Sequence, residues 1–115
     1  MRSFEKVAVS FASALLSGEF ERARTFLAPA LHARLTGDQL RERFFGMFEG
    51  YAEGTPASIE FEDGFSLTDW PSRQPGDVGW AYVGIMGEDF LEAVSVTVCA
   101  FDGVNLIREI EWGRP

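Results

Sequence analysis

The hydrophobic period of this chain changes once, near Ala57, and that change limits the folds open to it. Before it, apolar residues return every three or four positions, the spacing of one helix face; after it they alternate, as along a strand. Phe4, Val7, Ala8, Phe11 and Leu15 share one side of a helix predicted over residues 3–16, with Gly18 as a left-handed cap. A shorter helix is expected within residues 19–27, with Phe20, Ala23, Phe26 and Leu27 on one face, and it must stop before Pro29. Residues 30–35 fit either a helical turn or a short extended piece. Thr36-Gly37-Asp38-Gln39 has the form of a capping box. Leu40, Phe44, Met47, Phe48 and Tyr51 then give the cleanest helical stripe, predicting a helix that continues until Gly54 and Pro56 close it.

In the second half, Ile59, Phe61, Phe65 and Leu67 alternate with Glu60, Glu62 and Ser66, and a bulge is expected at Asp63-Gly64. A turn-rich loop over residues 68–76 leads to strands expected at residues 78–86, 90–101 and 104–112. Asp102-Gly103 between the last two is a hairpin signal. Helices first and meandering strands after predict one α+β domain over residues 1–115, with N-terminal helices packed on a curved antiparallel sheet.

Both faces of the 90–101 strand are poor in charge. Val94, Val96, Val98 and Ala100 lie on one, and Leu91, Ala93, Ser95, Thr97, Cys99 and Phe101 on the other. An antiparallel sheet normally keeps one face wet. The helices account for one face, and the expectation for the other is a second subunit, a homodimer packed through the sheet.

A net charge of −8 and no cluster of basic residues exclude nucleic acid and anionic membrane surfaces as expected partners. No apolar run approaches a membrane span. Ser3, Lys6, Ser10, Ser13 and Ser17 put a polar stripe on the first helix, unlike a secretory core, and this predicts a cytoplasmic protein. With one His and one Cys, a nitrogen- or sulfur-ligated metal is not expected, and Cys99, in an apolar run, reads as a small buried hydrophobe. Neither a phosphate loop nor a dinucleotide glycine pattern occurs, so no cofactor is expected.

The order of elements, the opening Ala14-Leu15-Leu16-Ser17-Gly18-Glu19-Phe20-Glu21-Arg22-Ala23 and the closing Ile107-Arg108-Glu109-Ile110-Glu111-Trp112 resemble the nuclear-transport-factor-2-like superfamily. The resemblance implies a cone-shaped α+β barrel, a sheet wrapped around a long N-terminal helix, with a pocket inside. The superfamily holds ketosteroid isomerases, polyketide cyclases, dehydratases and small-ligand binders. None of their catalytic sets maps onto this sequence, so catalytic residues remain unassigned.

Tyr51, Trp80, Tyr82 and Trp112 combine apolar area with a polar tip and are candidates to line a pocket for a small hydrophobic molecule; equally, they could fill the wide end of a core. His32, the only histidine, is a candidate pocket base, against the alternative of an ordinary surface residue. Trp70, in the turn-rich loop, is a candidate lid or partner contact. Glu60 with Glu62, and Glu109 with Glu111, point the same way along a strand, either as paired acids in a cavity or as a wet face. Three functions stay open: a small-molecule-binding domain with an internal apolar pocket, a cofactor-free acid–base enzyme, and an acidic module that binds a basic protein.

Overall fold

In the computed structural model, which describes residues 1–114, the first helix, α1 (Ser3–Leu16), lies across the inner face of an antiparallel sheet and touches four of its strands. Phe4, Ala8, Phe11 and Leu15 form its buried stripe. Full burial of a Phe or Leu side chain stabilises by about 1.5–3 kcal/mol, so this stripe supplies a large part of the core. The sheet makes room for it at Gly79, where a Cβ would run into the ring of Phe4.

Among the described residues there are three more helices, α2 (Phe20–Arg24), α3 (Pro29–Arg34) and α4 (Gly37–Gly46), and five strands, β1 (Pro56–Glu60), β2 (Ser66–Leu67), β3 (Asp77–Gly87), β4 (Leu91–Phe101) and β5 (Val104–Trp112). The fold is α+β, as the change of period implies. The path through the sheet is β1-β3-β4-β5, with β2 also paired to β3. Because β4 occupies one side of β3 throughout, β1 and β2 are two pieces of one interrupted edge strand on its other side. The interruption is a single 3-10 turn at Asp63–Phe65, not the bulge expected at Asp63-Gly64. The β4–β5 hairpin turns through Asp102 (φ 49°) and Gly103 (φ 78°), the two positive values a tight two-residue loop needs.

Residues 30–35, open between two conformations in the sequence, belong to α3, with Pro29 in its first turn, where a missing N–H costs nothing. The capping box of α4 forms as expected: the Gln39 amide donates to Thr36 Oγ1 (3.1 Å) and the Thr36 amide to Gln39 Oε1 (2.8 Å). The helix ends at Gly46 rather than continuing through Tyr51, since Gly46 and Gly50 each weaken a helix by about 1 kcal/mol relative to alanine. Phe48 and Tyr51 still reach the core side, where both stack on Phe90 with ring centroids 4.9 and 4.8 Å apart.

Two features of β5 shape the side of the domain where the shorter helices meet the sheet. Residues 26–28 pair with the edge of the strand: Ile107 donates to the Phe26 carbonyl (2.8 Å) and Ala28 to the Ile107 carbonyl (2.7 Å), which sets α3 beside it. A bulge then intervenes, with Val98 opposite Ile107 but Thr97 opposite Glu109, so Arg108 is the extra residue. Beyond it Ile110 and Trp112 sit across from the core residues Val96 and Val94, on the inner face, and Glu109 and Glu111 face outward.

On the outer face of β4, Ala93, Ser95 and Thr97 are buried within the single chain, at 0%, 1% and 3% exposure. They sit below the larger residues paired to them, with Trp80 and Glu109 flanking Thr97, and Tyr82 and Glu111 flanking Ser95. The exposed apolar residues of this face lie around them: Leu67, Met86, Leu91, Phe101 and Val104. No helix of the described residues is long and apolar enough to cross a membrane.

The start of α1 is locked to β2 by Glu5, which is 2% exposed. Its carboxylate accepts from Ser66 Oγ (2.6 Å), from the Arg2 amide (2.7 Å) and from Arg2 Nε (3.2 Å). Burial opposes ionisation, but these donors outweigh it and bring the pKa to about 2. The folded value lies below the unfolded one, so the stabilisation is complete above about pH 4.5 and is lost as pH falls toward 2. Urea titrations from pH 6 to 2 should show Glu5→Gln lacking roughly 2–3 kcal/mol of the acid-side loss seen in the parent. Parallel stability curves for the two proteins would refute the assignment.

Candidate functional site

The inner face of the sheet is not hollow. Phe4, Phe11, Phe44, Phe48 and Phe90 fill the space between α1, α4 and the strands. Room is left at the side, where α3 and α4 stand off from β5 and open a cleft of about 750 Å3. Its apolar lining is Leu31 and Leu35 from the α3 side and Ile110 and Trp112 from β5. Its polar lining is Arg34, Gln39, Glu42 and Arg43 from the helices and Arg108 and Glu109 from the strand bulge. A recess of about 350 Å3 continues past Gly46 and Met47 to Glu92, sharing Glu42, Arg43 and Trp112 with the cleft.

Arg108 is held in place by Asp77. Its Nε and Nη2 donate to the two oxygens of that carboxylate at 2.6 and 2.8 Å, a bidentate pair, and Nη1 reaches Glu109 at 3.3 Å. The Asp77 side chain is 1% exposed and also accepts from the Gln74 amide (2.8 Å). The Arg108 hydrogen bonds hold the Asp77 carboxyl below its ordinary value against the effect of burial, and the same contact raises Arg108. Cys99 lies half-buried opposite Asp77 on β4; burial, and then the Asp77 charge, push its thiol up.

Glu92, at the far end of the recess, is the acid that the sequence did not single out. Its side chain is 14% exposed, and it accepts from the Tyr51 hydroxyl at 2.6 Å and from the Arg114 amide at 3.2 Å. The hydrogen bond to Glu92 raises the Tyr51 phenol. The one signal in the sequence was its position: Glu92 has the parity of Val94 and Val96, so an acid stands on the apolar face of a core strand.

The six residues singled out by sequence do not form one site. Trp112 lines the cleft, and Tyr51 stands at the end of the recess through Glu92. Trp80 and Tyr82 lie on the opposite face of the sheet, paired across to Thr97 and Ser95, and Tyr82 packs edge-on against Phe65. His32 is exposed on α3, with Nδ1 3.4 Å from an Arg24 Nη2, and is not part of the lining. Trp70 is half-buried in the loop between β2 and β3 and is not part of the cleft lining. Of the acid pairs, Glu109 alone reaches the rim. Among the described residues no group of three or more His, Cys, Asp or Glu is arranged to hold a metal ion. No family model, curated protein or solved structure matches the chain.

The cleft can hold a small molecule between an apolar floor and a rim that carries hydrogen-bond donors. Its strand wall depends on the Asp77–Arg108 pair, so Asp77→Ala, which empties a buried site and leaves the half-buried Arg108 guanidinium without its bidentate partner, should cost about 2 kcal/mol. Chemical denaturation checks this; a loss below about 0.5 kcal/mol, the size of an ordinary surface substitution, would show that the pair is not what fixes the bulge.

Proposed function

We propose that this protein is a small-molecule-binding domain whose ligand occupies the cleft between α3, α4 and β5. The observation that carries the reading is the combination, in one recess, of Leu31, Leu35, Ile110 and Trp112 with a ring of polar side chains. Ligand sites are concave, a few hundred Å3 in volume and apolar with a few polar groups that orient the occupant, and this cleft has that form. It replaces the enclosed pocket anticipated from the sequence, because phenylalanine fills the interior. Membership of the nuclear-transport-factor-2-like superfamily and a cytoplasmic location belong to the same proposal. The first rests on helices preceding a meandering sheet, the second on an α1 whose apolar side is spent on the core.

The domain acts as a homodimer through the outer face of the sheet. Trp80 and Tyr82 flank β4 on one side, and neither makes a side-chain hydrogen bond among the described residues; Glu109 and Glu111 flank it on the other. A second copy turned about an axis along β4 lays the donors of β3 over the acceptors of β5 in both directions, which is the self-complementarity a two-fold contact requires. Ser95 Oγ, buried without a partner in the single chain, lies on that axis.

A second reading, a cofactor-free acid–base enzyme, is favoured by Glu92 alone. It is a sheltered carboxylate with a tyrosine hydroxyl at 2.6 Å, beside Trp112 at the end of the recess.

A thermal-shift screen against small apolar and amphipathic molecules should give hits that raise Tm by a few degrees and that Trp112→Ala abolishes. No response above about 1 °C across the library would defeat the binding reading. Sedimentation at tens of micromolar should return twice the chain mass of 12.8 kDa, and Trp80→Glu, which sets acid against acid across the contact, should return the monomer. A monomeric parent protein would end the dimer proposal.

A further inference from the structure

The chain has nine arginines, and seven of them are engaged. Arg2, Arg22, Arg24, Arg108 and Arg114 have carboxylate partners within 4 Å. Arg41 lies over the ring of Phe45, 5.8 Å from its centroid, and Arg73 donates to the Asp77 carbonyl at 3.1 Å. Arg34 and Arg43 alone have neither an ion pair, a side-chain hydrogen bond nor an aromatic face among the described residues. They come from different helices, α3 and α4, and they line the same cleft.

In a protein of net charge −8, two unpaired guanidiniums converging on one recess run against the overall field. Acids to neutralise them are near in sequence: Glu42 is adjacent to Arg43 and lines the cleft too, yet forms no bond to either arginine. Glu109 is already taken up by Arg108. Arg108 shares its one charge between Asp77 and Glu109, so what sets Arg34 and Arg43 apart is not an excess of local charge but donors that no side chain of the cleft takes up. Opposite them, Ile110 and Trp112 offer an apolar floor.

We infer that the ligand of this cleft is a small organic anion, a carboxylate with an aliphatic or aromatic body, whose charged end is held by Arg34 and Arg43 and whose body lies on Ile110 and Trp112. The inference rests on the cleft being the binding site, and it adds the chemical class. A planar guanidinium matches a carboxylate through two parallel hydrogen bonds, and an aromatic or aliphatic body gains from contact with the Trp112 indole. The walls are open to water, so the charge contributes discrimination more than affinity, and that contribution weakens with salt.

The test compares 3-phenylpropionate with its uncharged isostere 3-phenylpropanamide, titrated into the full chain and followed by NMR at the Trp112 indole and the Ile110 methyl groups. The acid should bind about five- to tenfold more tightly than the amide at low salt, the factor that two exposed charge-assisted contacts supply. Arg34→Gln with Arg43→Gln should remove the preference for the acid over the amide, while Arg41→Gln should keep it. Equal affinity for acid and amide would overturn the anion assignment and leave the cleft reading intact. Absence of shifts at Trp112 and Ile110 with either compound up to several millimolar would overturn both.

Discussion

Everything in this molecule is arranged around the seating of α1 on the inner face of the sheet. A helix with Phe4, Ala8, Phe11 and Leu15 on one side has nowhere to hide them except against strands whose own apolar residues point the same way. That single contact decides which sheet face is interior, and so which residues of β3, β4 and β5 face one another across the core. It also uses up the interior. With Phe44, Phe48 and Phe90 added, the space beneath the sheet is filled by side chains, and whatever the protein binds must be met at the side, where the shorter helices diverge from the last strand.

Signals in the sequence are legible wherever the physics is local. The capping box at Thr36, the left-handed Gly18 after α1 and the Asp102-Gly103 hairpin depend on residues within a few positions of each other, and each forms as the sequence implies. Where the outcome depends on distant partners, the pattern misleads. The stripe from Leu40 to Tyr51 has helical spacing, yet Phe48 and Tyr51 are drawn inward by stacking on Phe90, about forty residues away, and the helix need not continue to bring them there. The residues at Asp63-Gly64 form a turn, because β1 and β2 must pair with separate stretches of β3.

The candidate site is only half legible. Tyr and Trp stand out for their amphipathic side chains, and of those in the sequence Trp112 alone lines the cleft. Trp80 and Tyr82 share the strand parity of an outward face, and nothing in alternation says which parity is outward until the helix has docked. Arg34 and Arg43 escape notice for a related reason: they gain meaning from what they fail to touch, which a sequence does not record, whereas Glu92 left one trace, an acid on the apolar parity of β4.

The bulge at Arg108 has a genetic consequence. Every side chain beyond it owes its orientation to Arg108 staying out of the ladder, since alternation along a strand leaves no intermediate setting. Losing the Arg108 codon would give regular alternation from Ile107 through Glu109 to Ile110 and keep the floor of the cleft, whereas a codon gained between Glu109 and Ile110, with the bulge kept, would turn Ile110 and Trp112 out to water and carry Glu111 under the helices. Substitutions can tune this recess gradually, whereas changes of length in β5 can only keep it or abolish it, and the spacing from Ile107 to Trp112 is thus the most informative stretch by which to judge whether a related chain retains the same site.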